Sequence, residues 1–195
     1  MVSIKDFIIY SEVDLRDTFK TESGLELFAD KRFSQKLLAN REVIVKSMPL
    51  DYTGKDITGW QAFIDPTIYF RNNYNHGKGD NLEIPGEKGC YKIQPNMIIA
   101  VRKDSNSDWI GFDNNLVVEP IIEKYQEEDP KGLIVGVPKT RTKDGYCKVV
   151  ITNNKLDDIH IGDTVLYNHE YGVDVYLDSK KYLWIRVKDC LAKVV

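Results

Sequence analysis

The stretch from His160 to Val194, HIGDTVLYNHEYGVDVYLDSKKYLWIRVKDCLAKV, constrains the fold more than any other part of the chain. It holds three short runs, TVLY, VDVYL and YLWIR, each rich in β-branched or aromatic residues. Gly162-Asp163 stands before the first run, Tyr171-Gly172 before the second, and a closing KDCLAKV follows the third. Glycine admits a positive φ and aspartate bonds its own backbone, so Gly-Asp makes a tight entry into a strand. The segment therefore reads as short strands joined by turns.

The rest of the chain is written in the same way. FIIY (7–10), EVIVKS (42–47), TIYF (67–70), NMIIAV (96–101), LVVEPI (116–121), GLIVG (132–136) and KVVIT (148–152) all read as strands, separated by Gly, Pro, Asn and Asp. Many short strands with regular turn signals predict an all-β barrel or sandwich. Helical spacing is thin. KRFSQKLLANRE (31–42) places Phe33 and Leu37 four apart, enough for one short helix, and EPIIEKYQEEDP (119–130) has helical character at its polar end between Pro120 and Pro130.

The chain also repeats itself. DFIIY (6–10) aligns with NNLVV (114–118), SGLEL (23–27) with KGLIV (131–135), and EVIV (42–45) with KVVI (148–151). IDPTIYF (64–70) aligns with IGDTVLY (161–167), which sets Asp65-Pro66 opposite the Gly162-Asp163 turn and Tyr74 opposite Tyr171; MIIAV (97–101) aligns with CLAKV (190–194). The offset falls from about 109 residues to about 92, as expected if the first copy carries the longer loops, because loop insertions cost little closure entropy. The polar stretch KDSNSDWIG (103–111) then marks the boundary, giving domains over 1–105 and 106–195.

The ordered set GDTVLY, YGVDV, KKYLWIR and KDCLAKV resembles the C-terminal half of GroES-type co-chaperonins. The resemblance implies an all-β chain of two tandem GroES-like β-barrels with little helix. Family members carry a mobile loop that ends in glycine and three mostly aliphatic residues, which dock on a chaperonin. On that motif fall Gly24, Leu25, Glu26 and Leu27 of the first copy and Gly132, Leu133, Ile134 and Val135 of the second. Glu26 departs from the aliphatic pattern, and the second loop is short, acidic and Pro-containing. The residues by themselves equally allow both triplets to be core strands of the barrels. The resemblance further implies self-association through terminal strands, FIIY (7–10) and LAKVV (191–195), since unpaired edges invite pairing. The implied partner is a chaperonin, with nucleotide hydrolysis left to that partner. A second implied role is a structural one in another large protein assembly, such as a viral capsid or tail decoration, which would place the chain in a virion.

Several function classes are disfavoured. A net charge of −3 offers no basic footprint for nucleic acid, and the apolar runs are too short to span a bilayer. MVSIKDFIIYSEVD lacks the layout of a signal peptide, so a cytosolic setting is expected. Cys90, Cys147 and Cys190 are far apart, without CxxC or Cys/His spacing, and read as reduced core thiols. His76, His160 and His169 lack metal-ligand spacing; Gly77-Lys78-Gly79 is followed by no helix and is no phosphate loop; Asp157-Asp158 reads as a turn. No catalytic residue, cofactor or metal is expected. Trp60 and Phe63, beside the long Gly/Asn-rich excursion 75–89, suit either a surface contact or partial burial.

Overall fold

The computed structural model describes residues 3–12, 16–21, 23–28, 38–69, 83–125, 139–153 and 156–194. Among them the chain is all-β. The first sheet contains β1 (Phe7–Tyr10), β4 (Glu42–Ser47), β5 (Gln61–Ile64), β6 (Cys90–Ile93), β7 (Ile98–Arg102) and β8 (Ile110–Gly111), in the order β6-β1-β4-β5-β7-β8. The second contains β9 (Asn115–Tyr125), β10 (Lys139–Ile151), β11 (Thr164–Tyr167), β12 (Val173–Leu177), β13 (Lys180–Arg186) and β14 (Cys190–Val194), in the order β12-β13-β9-β10-β11-β14. Between β1 and β4, β2 (Thr18–Lys20) and β3 (Glu26–Phe28) form a separate two-stranded hairpin.

Five strands of the first sheet match five of the second in order: β6-β1-β4-β5-β7 against β13-β9-β10-β11-β14. The registers match as well. Ile9 lies opposite Val45, and Val118 opposite Val149; Ile8 opposite Ser47, and Val117 opposite Ile151. Glu42 lies opposite Phe63, and Tyr146 opposite Leu166. Ile64 lies opposite Ile98, and Tyr167 opposite Cys190. Both sheets carry a register shift at the same places, between Ile8 and Ile9 or their counterparts Val117 and Val118, and between Phe63 and Ile64 or Leu166 and Tyr167.

The strand-entry turns repeat too. Gly59 and Gly162 each hold a positive φ, of 83° and 93°, which only glycine adopts without strain. Gly59 N–H donates to Val45 O and Gly162 N–H to Val149 O, both at 2.8 Å. Val45 N–H in turn donates to Trp60 O, and Val149 N–H to Asp163 O. Each fourth strand is followed by a single 3-10 turn, Pro66–Tyr69 or His169–Tyr171. The Asp65 carboxylate caps the first by accepting from Thr67 N–H, and the Asn168 side chain caps the second by accepting from Glu170 N–H.

These registers correct the sequence alignment. The strands FIIY, EVIV and IIAV do have counterparts in NLVV, the end of β10 and CLAKV, but Ile9 matches Val118 instead of Val117, Glu42 matches Tyr146 instead of Lys148, and Ile98, not Met97, matches Cys190; KGLIV, the partner of SGLEL, lies outside the described residues. TIYF is not a strand: Pro66, with its fixed φ and no donor, opens a 3-10 turn, and QAFI (61–64) is the strand matched to TVLY. The counterpart of Gly162-Asp163 is therefore Gly59-Trp60, not Asp65-Pro66, and Tyr171 matches Ile68; Tyr74 lies outside the described residues. Residues 119–125 are strand, not helix, because β9 continues past Pro120 in ladder with β10. The 31–42 helix falls mostly outside the described residues, and Glu42 already opens β4.

Alternation along the strands builds two matched cores. Phe7, Ile9, Val43, Val45, Ile64 and Ile93 face inward in the first sheet. Their counterparts Leu116, Val118, Cys147, Val149, Tyr167 and Ile185 do so in the second. A third cluster lies between the sheets, where Phe63, Ile99 and Ala100 meet Val117, Ile151, Val175, Leu177 and Trp184. Fully burying side chains of this size contributes about 1.5–3 kcal/mol each. Phe63 is thus buried in the contact between the halves, while Trp60 packs half-buried on the first core. Cys147 is buried, and Cys90 and Cys190 are half-buried. Burial pushes the thiols of Cys147 and Cys190 up to about 12 and about 11, so neither ionises near neutrality.

Candidate functional site

The first loop rises between β1 and β4 on a clamped base. Arg16 N–H donates to Leu38 O at 2.8 Å, and the Arg16 guanidinium donates to Asn40 Oδ1 at 2.8 Å. The Asn40 amide then donates to Ser11 Oγ, with Ser11, Leu38 and Asn40 all buried. This closes the two ends of the segment side by side and limits what remains free above them.

Above the base stands the hairpin of β2 and β3. Thr21 N–H donates to Leu25 O and Gly24 N–H to Thr21 O, both at 2.9 Å. Gly24 takes φ 80°, as the left-handed position of a short hairpin loop requires. Thr21 Oγ1 also accepts from Leu25 N–H. Within β3, Leu27 takes one face and Glu26 and Phe28 the other, by alternation, and Leu25 directly precedes the strand. Thr18 Oγ1 donates to Glu26 Oε1 at 2.6 Å, so Glu26 is held within the hairpin on the face away from Leu27.

Exposure decides what this element does for the fold. Leu25 is 59% exposed, Leu27 38% and Phe28 86%. Glu26 and Leu27 of the first triplet therefore lie in a strand, with Leu25 directly before it, but in a separate hairpin and outside every core cluster of the described residues. Phe28 is an exposed apolar residue that the glycine-plus-triplet motif leaves out; its signal is its position directly after that motif.

Gly132, Leu133, Ile134 and Val135 lie outside the described residues. The strand ends that bracket them are paired, Tyr125 opposite Lys139. Arg141 donates to Glu123 at 2.6 Å and stacks its guanidinium 5.0 Å from the Tyr125 ring centre. The second segment thus connects β9 and β10, the counterparts of β1 and β4.

The terminal strands differ in their surroundings. β1 lies between β6 and β4 and has no free edge, so FIIY is not the edge strand that the sequence suggests. β14 is an edge of the second sheet, and it carries exposed Leu191 and Val194. Among the described residues no group of three or more His, Cys, Asp or Glu is placed to hold a metal. In the same set no helix is long and apolar enough to cross a membrane.

The all-β body thus carries three exposed apolar side chains, Leu25, Leu27 and Phe28, on a hairpin with a clamped base. Residues 111–194 match the chaperonin 10 kDa subunit family. The co-chaperonin GroES of Thermosipho africanus is 30% identical over 88 residues, 44% of this chain and 94% of that relative. That of Thermotoga maritima is 32% identical over 89 residues, with the same shares, and that of Petrotoga mobilis 33% over 84 residues, 42% of this chain and 90% of the relative. The chain belongs to the GroES co-chaperonin family, through its C-terminal half. That family is non-enzymatic. The match begins at Gly111, the last residue of β8 and of the polar stretch 103–111.

Proposed function

We propose that the chain is a tandem of two GroES-like barrels, over 1–105 and 106–195, that binds a chaperonin as a co-chaperonin does. The observation that carries this reading is the shared strand order and register of the two sheets, bulges included. It supports a duplication whose two copies keep one strand order and register.

The docking residues are Gly24, Leu25, Glu26 and Leu27 in the first copy, joined by Phe28, and Gly132, Leu133, Ile134 and Val135 in the second. Exposure of Leu25, Leu27 and Phe28 on a hairpin outside the cores supports the first set. A preformed hairpin offers apolar side chains to a groove with part of the ordering entropy already spent. The second set rests on its equivalent position between β9 and β10. The proposed setting is cytoplasmic, with nucleotide hydrolysis performed by the chaperonin.

Self-association uses β14, whose counterpart β7 has its outer edge covered by β8 within the chain, Ala100 opposite Gly111. The test is to add the full chain to a chaperonin and measure its ATP hydrolysis and the refolding of a bound substrate. The expected result is a change in both at stoichiometric amounts. No change in either, with no co-sedimentation, contradicts the reading.

A further inference from the structure

The matched registers set the base of the first loop beside the same place in the second sheet. Ile9 corresponds to Val118 and Glu42 to Tyr146, so Ser11 corresponds to Pro120 and Asn40 to Asp144. In the first sheet the two side chains meet: the Asn40 amide donates to Ser11 Oγ at 3.1 Å, and both residues are buried. In the second they do not. Proline has no hydroxyl to accept a bond, and Asp144 is exposed. Leu38 and Ala39 are buried just before Asn40, whereas Thr142 and Lys143 before Asp144 are exposed. Gly145, with φ 75°, follows in the bulge where β10 shifts register against β9. The same strand order thus closes at this point with or without a polar clamp.

What the clamp holds is the entry to the hairpin. Arg16 stands two residues before β2, and it is tied twice: its N–H donates to Leu38 O and its guanidinium to Asn40 Oδ1, both at 2.8 Å. Two bonds on one residue fix the direction of the chain as well as its position, and the one from the guanidinium is charge-assisted. Arg16 is itself exposed, so the second bond is not there to satisfy a buried cation. The hairpin has need of such support. Its ladder consists of Thr18 opposite Phe28, Phe19 opposite Leu27 and Lys20 opposite Glu26, and a two-stranded ladder of this length is marginal alone. No core cluster among the described residues includes it.

We infer that Arg16, acting through Asn40 and Ser11, is a positioning residue that holds the hairpin in its docking shape before the chaperonin arrives. The inference rests on the docking role of Leu25, Leu27 and Phe28 proposed above and adds the residue that readies them. Ordering a free loop on binding opposes association, and a loop ordered beforehand avoids that term. The clamp lies below the three apolar side chains and touches none of them, so its effect on affinity runs only through the order of the hairpin.

Amide hydrogen exchange of the free full chain, with calorimetric binding to a chaperonin in the presence of ATP, tests this on Arg16→Ala and Arg16→Lys. The amides of Thr21, Gly24 and Leu25 donate within the hairpin and are expected to be protected in the wild type. Arg16→Ala is expected to speed their exchange about tenfold, while the amides of Val45 and Val149 in the two sheets and the melting temperature stay as they are. The same variant is expected to bind about fivefold more weakly, with the loss carried by entropy. Arg16→Lys, which keeps a cation within reach of Asn40, is expected to recover most of both. Unchanged exchange in Arg16→Ala overturns the inference, because the clamp then does not order the hairpin. Faster exchange with unchanged affinity also overturns it and leaves the docking role of the hairpin standing. A wild type that does not bind overturns the docking role itself, and the positioning role with it.

Discussion

The guanidinium of Arg102 donates to both carboxylate oxygens of Asp178, at 3.1 and 3.4 Å, across the junction between the halves. Arg102 is 6% exposed and ends β7, while Asp178 sits in the tight turn between β12 and β13 with φ 48°. Gln61 Oε1 accepts from Arg102 Nε at 2.6 Å, and Trp109 covers the guanidinium at 4.2 Å from its ring centre. The Trp109 indole N–H donates to the same Asp178 carboxylate at 3.1 Å. The segment that joins the halves is thus fixed to both of them.

Arg102→Ala is expected to lower global stability by about 2 kcal/mol, less than for a fully buried pair because Asp178 stays partly in water. Urea unfolding followed by tryptophan fluorescence and by far-ultraviolet circular dichroism checks this. Both probes should move together in a single transition, since the cluster of Phe63, Ile99 and Trp184 makes the halves one cooperative body. Two separate transitions in the wild type would contradict a shared core.

Asn115 should be a second fastening point. Its amide donates to Ile98 O at 2.8 Å and Phe112 O at 3.1 Å, and its Oδ1 accepts from the Trp184 indole at 2.9 Å. Asn115→Ala strands all of these groups in the interior, with an expected loss of about 2–3 kcal/mol. A thermal melt of the variant beside Arg102→Ala measures it.

Strand positions were legible in the chain, but registers and partners were not. Alternation marks Phe7, Ile9, Val43 and Val45 as one face from sequence alone. It cannot locate the bulges at Ile8/Ile9 and Phe63/Ile64, and one misplaced residue reverses the face of a whole strand. This is why aligning FIIY, EVIV and MIIAV by sequence gives shifted registers, and why IDPTIYF falls opposite TVLY where QAFI stands in the sheet. TIYF has strand composition, yet Pro66 and the Asp65 cap turn it into a 3-10 helix. The Arg102–Asp178 pair spans 76 residues and leaves no local trace. At the candidate site, Gly24 and the leucines were visible as a motif. Phe28 was not, because its meaning lies in exposure, which a motif does not record.

Gly111 is required by close approach. A Cβ there would stand 2.6 Å from the carbonyl carbon of Thr152, against rigid backbone. Gly111→Ala is expected to cost about 1–3 kcal/mol, read as a fall in melting temperature, because the backbone must shift to admit the methyl.

Asp163 gives a pH dependence of known sign. The Lys193 ammonium and the His160 backbone N–H hold its carboxyl below the ordinary value of 3.8. A group whose folded-state value is depressed stabilises the fold above its unfolded value and loses that contribution as pH falls through the folded one. Melting temperature should therefore drop below about pH 4, and Asp163→Asn should flatten that part of the profile. An unchanged acid limb in the variant would remove Asp163 from the account.

The most direct test of the central claim is the affinity of the full chain for a chaperonin, measured by light scattering or calorimetry in the presence of ATP, with Leu25→Ser/Leu27→Ser as the comparison. The account predicts saturable binding by the wild type. It predicts a loss of about tenfold or more in the variant, whose melting temperature should be unchanged because neither leucine belongs to a core cluster. Equal binding by the two proteins, or a variant that unfolds, would contradict the assignment of these leucines to docking.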